Sequence, residues 1–361
     1  MRTARVLPGR PVPDGLVGAV LTRDLVVEGE RWSKGRRLGP DDLDRLARAS
    51  SVASLGLARR EGPITLLVPE PGDVHEDEAA LRLARAVAGP GVELAGPVES
   101  RVDLRAAAPG VVRVRTAALA RLNRIDPLEV FTAFDGQVVE AGSLVASVKV
   151  GPHLVPERVL AAGIAVTGGG RRPIVAVRPF RRRRVAALVK ESIEGAARER
   201  FETTLRAKVE GLGSELVGIA YVADEPDAIR DTLQAFTEAG SASDRRPIDL
   251  VLTAGGASTD PLDPLFLALE AAGGRVVRHG VPAHPGSMLW LGRLRRTTLL
   301  GLPTCGAYSK ATAADLLLAW LLAGEPPTAA TVARLGHGGI LTRDQRFRFP
   351  AYARGLEAPE G

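Results

Sequence analysis

The spacing of apolar and polar positions changes character along the chain. Over 76–88, Leu81, Ala84 and Val87 recur at helical spacing and Gly89-Pro90 ends the pattern, which predicts a helix. A second helix is expected over 41–49, opened by Pro40 and by acidic residues suited to a first turn, and a strand over 64–68. Residues 110–150 read as β-structure: GVVRVRT and SLVASVKV alternate or run apolar with β-branched residues. Asp135-Gly136, between FTAF and QVVEAG, predicts a hairpin, and Gly142 a further turn. From about residue 184 short apolar strands and longer helices take turns. Strands are expected over 185–189, 216–222, 248–252 and 298–300. Helices are expected over 194–210, 226–239, 262–272 and 309–322, with 244–247 a polar loop.

Strands separated by helices of this length imply right-handed crossovers and a parallel sheet. The expected architecture is an open, mostly parallel α/β sheet flanked by helices over 181–325. A mixed α+β region, β-rich over 110–150, precedes it over 1–180, and a C-terminal tail follows over 326–361. Such sheets bind ligands beyond the carboxyl ends of their strands. The loops to inspect are therefore those after 189, 222, 252 and 300.

The loop from Thr253 to Asp260 is the richest of them. Gly255 and Gly256 allow a sharp turn and bring backbone N–H groups near an anion, while Thr253, Ser258 and Thr259 add hydroxyls. The next helix offers its positive end to phosphate, and Asp260 and Asp263 at that mouth suit Mg2+. The plainer alternative is a tight turn whose carboxylates complement the helix dipole. The loop from Gly301 through Leu302 and Pro303 to Gly306 leads into a helix near Lys310, a candidate phosphate contact. Cys305 fits either a reactive thiol near a helix start or a small buried hydrophobe. Between these loops, 278–287 holds His279, His284, Pro285 and Gly286, read as loop residues near the ligand rather than metal ligands.

Composition narrows the classes. No apolar run reaches the roughly 18–20 residues that span a bilayer, and the N-terminal segment lacks the apolar stretch of a secretory signal, so a cytoplasmic protein without membrane contact is expected. A single cysteine excludes an intramolecular disulfide and a thiolate metal cluster. The net charge of +6 is carried mostly by arginine, densest at Arg181–Arg184. Without an aromatic-interleaved basic stripe or a helix-turn-helix pattern, specific nucleic-acid binding is not expected. A small anion is the expected partner, and a homo-oligomer is compatible with the sequence.

The stretch DLVLTAGGASTDPLDPLFLALEAAGG, followed by VPAHPGSM and TLLGLPTCGAYSKATAADLLLAWL, resembles the molybdopterin-binding domain of the molybdopterin molybdenumtransferase, Mog-like and CinA-like families. Thr253, Gly255, Gly256, Ser258 and Asp263 match the first family motif. Pro285 and Gly286 match the second, and Gly301, Leu302 and Pro303 the third. VADEPDAIRDTL, with Asp224 and Ile229, is similar to the family's second strand-to-helix junction. The likeness is good over 184–325 and fainter upstream. It departs at Lys190–Gly195, where the transferases carry a Ser/Thr-Gly-Asp-Glu stretch, at Pro261, at Ser287 and at Thr304-Cys305.

The resemblance implies a protein of molybdenum cofactor biosynthesis that binds molybdopterin or adenylyl-molybdopterin, with molybdate as a further substrate. On that analogy Thr253, Gly255, Gly256, Ser258, Pro285, Gly286, Gly301, Leu302, Pro303 and Lys310 hold the ligand, and Arg278 or Lys310 balances charge. Asp263 and Asp260 position Mg2+ for a transferase reaction. The alternatives are a non-catalytic cofactor carrier or sensor and a CinA-like nucleotide-dependent hydrolase. Asp263 has two candidate roles, capping a helix or positioning a metal, and under the second Asp263→Asn is expected to melt like the parent.

Overall fold

The computed structural model describes residues 1–54, 63–190, 193–237, 247–255, 260–302 and 311–354. The chain separates into two compact units. One comprises Met1–Arg105, Val114–Ala133 and Leu144–Ala176; the other comprises Ala106–Arg113, Phe134–Ser143 and Val177–Gly361.

The first unit is rich in antiparallel strands. Ile64–Val68 lies between Arg2–Val6 and Val20–Leu21, antiparallel to both. Leu16, Leu21, Trp32, Leu46, Ile64 and Leu66 form its buried cluster. The predicted helices appear as Pro40–Arg48 and Glu76–Val87. Within the segment read as β-structure, Thr116–Leu122 is helical instead. Its Ala- and Leu-rich sequence favours helix over strand, and Asn123 ends it. The Asn123 side chain donates to the Val130 carbonyl at 2.7 Å and accepts from the Val130 N–H at 2.9 Å, tying the helix end to the next strand.

Asp135-Gly136 is a turn, with Gly136 at φ +83°, but the hairpin expected there is absent. The strand before it, Leu128–Thr132, pairs with Leu144–Val150, whereas Val138–Val139 pairs with Gly110–Val111. The turn itself belongs to the second unit, with Phe134–Ser143. Trp320 Nε1 donates to the Gly136 carbonyl at 2.8 Å, and a Cβ at Gly136 would overlap the Trp320 ring.

The second unit is built on a six-stranded sheet, whose elements are numbered here from its first strand. The strands are β1 (Arg184–Val189), β2 (Glu215–Tyr221), β3 (Leu250–Ala254), β4 (Arg275–His279), β5 (Trp290–Leu294) and β6 (Thr297–Gly301). The helices are α1 (Gly195–Glu210), α2 (Pro226–Thr237), α3 (Pro264–Ala271) and α4 (Ala313–Leu322). The order across the sheet is β2-β1-β3-β6-β5-β4. The first four run parallel, β5 runs antiparallel to them and β4 antiparallel to β5, so the mostly parallel expectation holds. The sequence reads 278–287 as loop and assigns no strand to β4 or β5; Arg275, Arg278 and His279 make β4 polar, and Gly292 interrupts β5.

Both faces of the sheet are covered, which explains why β1 is apolar throughout. Val185, Ala187 and Val189 pack toward Phe201, Leu205 and the α4 leucines; Ala186 and Leu188 pack toward Ile229, Leu233 and Leu265. Every residue of α4 is buried, including Asp315. Val332, Leu335, Leu341, Phe349 and Ala353 of the segment after α4 join the same core.

Asp315 is accommodated by bonds on all sides. The Thr312 N–H donates to its Oδ2 at 2.8 Å, closing a capping box, and Tyr352 OH donates to Oδ1 at 3.1 Å. The buried Lys208 ammonium pairs with the same carboxylate. Burial, and then the adjacent Asp315, hold the Tyr352 phenol well above its ordinary pKa.

Candidate functional site

The carboxyl ends of β1, β3 and β6 lie side by side. The Lys190 N–H, just past β1, donates to the Ala254 carbonyl at 3.0 Å, and the Leu302 N–H, just past β6, donates to the Thr253 carbonyl at 2.8 Å. Thr253 also faces Gly301 in the β3–β6 register. Thr253, Gly255, Gly301 and Leu302 are thus brought to one edge. Gly255 has φ +82°, a left-handed conformation that suits glycine as the strand turns away. Gly256, Ser258, Pro303 and Lys310 lie outside the described residues, as do Thr259, Thr304 and Cys305.

Asp263 is the N-cap of α3: its Oδ1 accepts the Leu265 N–H at 2.9 Å, and Pro264 sits at the first helical position. The same Oδ1 accepts a hydrogen bond from Lys190 Nζ at 2.7 Å, and Nζ also donates to Asp224 Oδ1 at 2.8 Å. Lys190 and Asp263 are buried, with side chains 2% and 8% exposed, while Asp224, beyond β2, is 56% exposed. Burial alone lowers the Lys190 pKa, but its hydrogen bonds to Asp224 and Asp263 outweigh it and hold the ammonium above its ordinary value. Lys190 is therefore a charged side chain fixed between two loops at this edge of the sheet. The sequence shows it only as a departure from the family pattern, because pairing over 34 and 73 positions leaves no local trace.

Asp260 is exposed and its Oδ1 accepts the Leu262 N–H at 2.9 Å, an Asx turn leading into α3. Mg2+ needs carboxylate oxygens at about 2.1 Å in near-octahedral array. Oδ1 of Asp263 is already shared by a backbone N–H and an ammonium. No group of three or more His, Cys, Asp or Glu side chains among the described residues has a metal-holding arrangement. The Asp260–Asp263 pair does not fit a divalent ion in this arrangement.

Pro285 and Gly286 sit on the loop before β5. The Pro285 carbonyl accepts the Ala313 N–H at 2.9 Å, and a Cβ at Gly286, which has φ +102°, would lie 2.9 Å from both that nitrogen and Thr312 Cβ. This glycine is explained by close contact with the start of α4. Gly301 has a similar explanation, since a Cβ there would overlap the Trp290 indole. His279 is a β4 residue with its ring edge-on to Phe266 at 4.9 Å, and Arg278 Nε donates to the Gly280 carbonyl at 3.2 Å. No described helix is long and apolar enough to cross a membrane.

No curated protein matches the chain. Among solved structures it is similar to the molybdopterin biosynthesis enzyme MoaB of Thermus thermophilus, at 22% identity over 40% of this chain and 99% of that one, with a TM-score of 0.28. It is also similar to the molybdopterin biosynthesis MoeA protein of Pyrococcus horikoshii, at 14% identity over 69% of this chain and 79% of that one, with a TM-score of 0.29. Residues 185–323, which carry the sheet and its loops, match the family described as "Probable molybdopterin binding domain".

Proposed function

We propose that this domain binds molybdopterin through its phosphate at the carboxyl edge of the sheet, and that the protein acts in molybdenum cofactor biosynthesis. The observation that carries this reading is the family match over 185–323, which covers the edge where Thr253, Gly255, Gly301 and Leu302 converge. Backbone N–H groups of the loop after β3 and the positive end of α3 are the elements that would receive the phosphate. Gly256, Ser258, Pro303 and Lys310 would complete the cradle. Adenylyl-molybdopterin would use the same contacts.

Two readings of the chemistry follow. In the transferase reading, Asp263 positions the reacting group and molybdate is a substrate. In the carrier reading, the domain holds the cofactor without turning it over. The engagement of Asp263 with Lys190 favours the carrier, because Oδ1 of this carboxylate is committed to an ammonium and a helix cap. Incubation with adenylyl-molybdopterin, with AMP release followed by chromatography, separates the two. Retention of the ligand without AMP supports the carrier; multiple-turnover AMP release supports the transferase. Failure to retain either ligand rejects the binding function itself.

A further inference from the structure

Asp224 and Asp263 come from the loops after β2 and β3, and between them stands the ammonium of Lys190, at the end of β1. We propose that Lys190 is a built-in cation occupying the place of a divalent metal at this edge, so that the domain receives its anionic ligand without Mg2+. For the identity of that ligand the inference rests on the function proposed above; for the cation position it stands on this cluster alone.

The distances separate the two kinds of cation. Nζ lies 2.8 Å from Asp224 and 2.7 Å from Asp263, the length of charge-assisted N–H···O bonds. Mg2+ draws its oxygens to about 2.1 Å and keeps several waters, so one oxygen pair cannot serve both cations at once. Exchange is also opposed by burial. The Lys190 side chain is 2% exposed and Asp263 is nearly as enclosed, so an entering metal would have to expel a paired ammonium from the interior. Asp224, more than half exposed, leaves the cluster open on one side, at the edge where β1 and β2 end. Charge differs too. Two carboxylates and one ammonium leave a net negative charge that Mg2+ would cancel, so neutralisation of a bound phosphate falls to backbone dipoles and to side chains outside this trio.

The test uses Mn2+ alone as the probe, with binding to the full chain followed by its electron paramagnetic resonance signal. The parent is expected to bind no Mn2+ at this position at millimolar concentration. Lys190→Ala is expected to gain one Mn2+ per chain, and Lys190→Ala combined with Asp263→Asn to lose it again. A parent site for Mn2+ that Asp263→Asn abolishes overturns the proposal, and so does a folded Lys190→Ala chain that gains no site. Should Lys190→Ala fail to fold, the parent's melting temperature decides: it should be the same in EDTA and in excess Mg2+. A rise with Mg2+ that disappears in Asp263→Asn contradicts the proposal. None of these measurements involves a pterin, so they fail or succeed apart from the ligand assignment.

Discussion

Among the described residues of the C-terminal domain two lysines are buried, and each meets an aspartate at the start of a helix, yet their surroundings differ. Lys208 is enclosed with Asp315, which is also capped by the Thr312 N–H and bonded by Tyr352. Asp315 and Thr312 are fully buried and Tyr352 partly so, and the cluster ties α1, α4 and the segment containing Tyr352 together. The Lys190 side chain is as buried as that of Lys208, but one of its two carboxylates, Asp224, reaches solvent at the carboxyl edge of the sheet. A closed ionic cluster fixes the fold. One that opens at a strand-end edge is placed to act on what arrives there. Burial of a charge alone does not distinguish the cases; the exposure of its partner does.

The largest expected effect breaks the closed cluster. Asp315→Ala leaves the Lys208 ammonium without its carboxylate and removes a helix cap, so unfolding free energy should fall by about 3–5 kcal/mol. Denaturant titration measures this, and the fraction that stays folded should bind ligand as the parent does. Next comes Asp263→Asn. The asparagine oxygen can still cap α3, but the Lys190 ammonium keeps only the exposed Asp224 as a charged partner, so a loss of about 1–3 kcal/mol is expected. Here the structure corrects the expectation that this variant melts like the parent. Unlike Asp315→Ala, Asp263→Asn should also weaken ligand binding in the folded chain. Equal ligand affinity in the two variants would erase the distinction between the clusters.

A smaller effect separates packing from binding at a family-motif glycine. Gly286→Ala forces a side chain into a left-handed conformation against the start of α4, costing about 1–3 kcal/mol. Its ligand affinity should be unchanged once thermal denaturation is controlled for. The smallest effect is alkaline. Burial, then Glu202, pushes the Tyr221 phenol up to about 12, and Lys190 is raised as well. Both groups bind their protons more tightly when folded, so their contribution is complete below about pH 10 and is lost as pH rises through the folded pKa values. Melting temperature should fall between pH 10 and 12, less steeply in Tyr221→Phe.

Much of the fold was legible because both faces of the β1–β3–β6 core are buried, so strands such as 185–189 stand out as unbroken apolar runs between amphipathic helices. The antiparallel β4–β5 edge was not, because β4 is only partly buried and its Arg275, Arg278 and His279 read as loop. Asp135-Gly136 announced its turn correctly, but the flanking strands pair with other segments, and the Gly136 carbonyl is held by Trp320, 184 positions away. Within the site, the glycines and Asp263 carried a motif. Lys190 and Asp224 acquire meaning only when three loops meet, and Lys208 with Asp315 likewise. A motif marks what chemistry the backbone offers; it does not show which side-chain charges are already spent on each other.

The central claim is that a pterin phosphate sits at the carboxyl edge of this sheet. Mass spectrometry of the ligand released from the full chain, purified from a molybdenum-replete host, tests it most directly, with folded Gly256→Val as the comparison. The account predicts a molybdopterin-derived pterin phosphate with the parent and none with Gly256→Val, whose added side chain would block the backbone approach. A parent that carries no pterin, or a variant that carries as much as the parent, would contradict it.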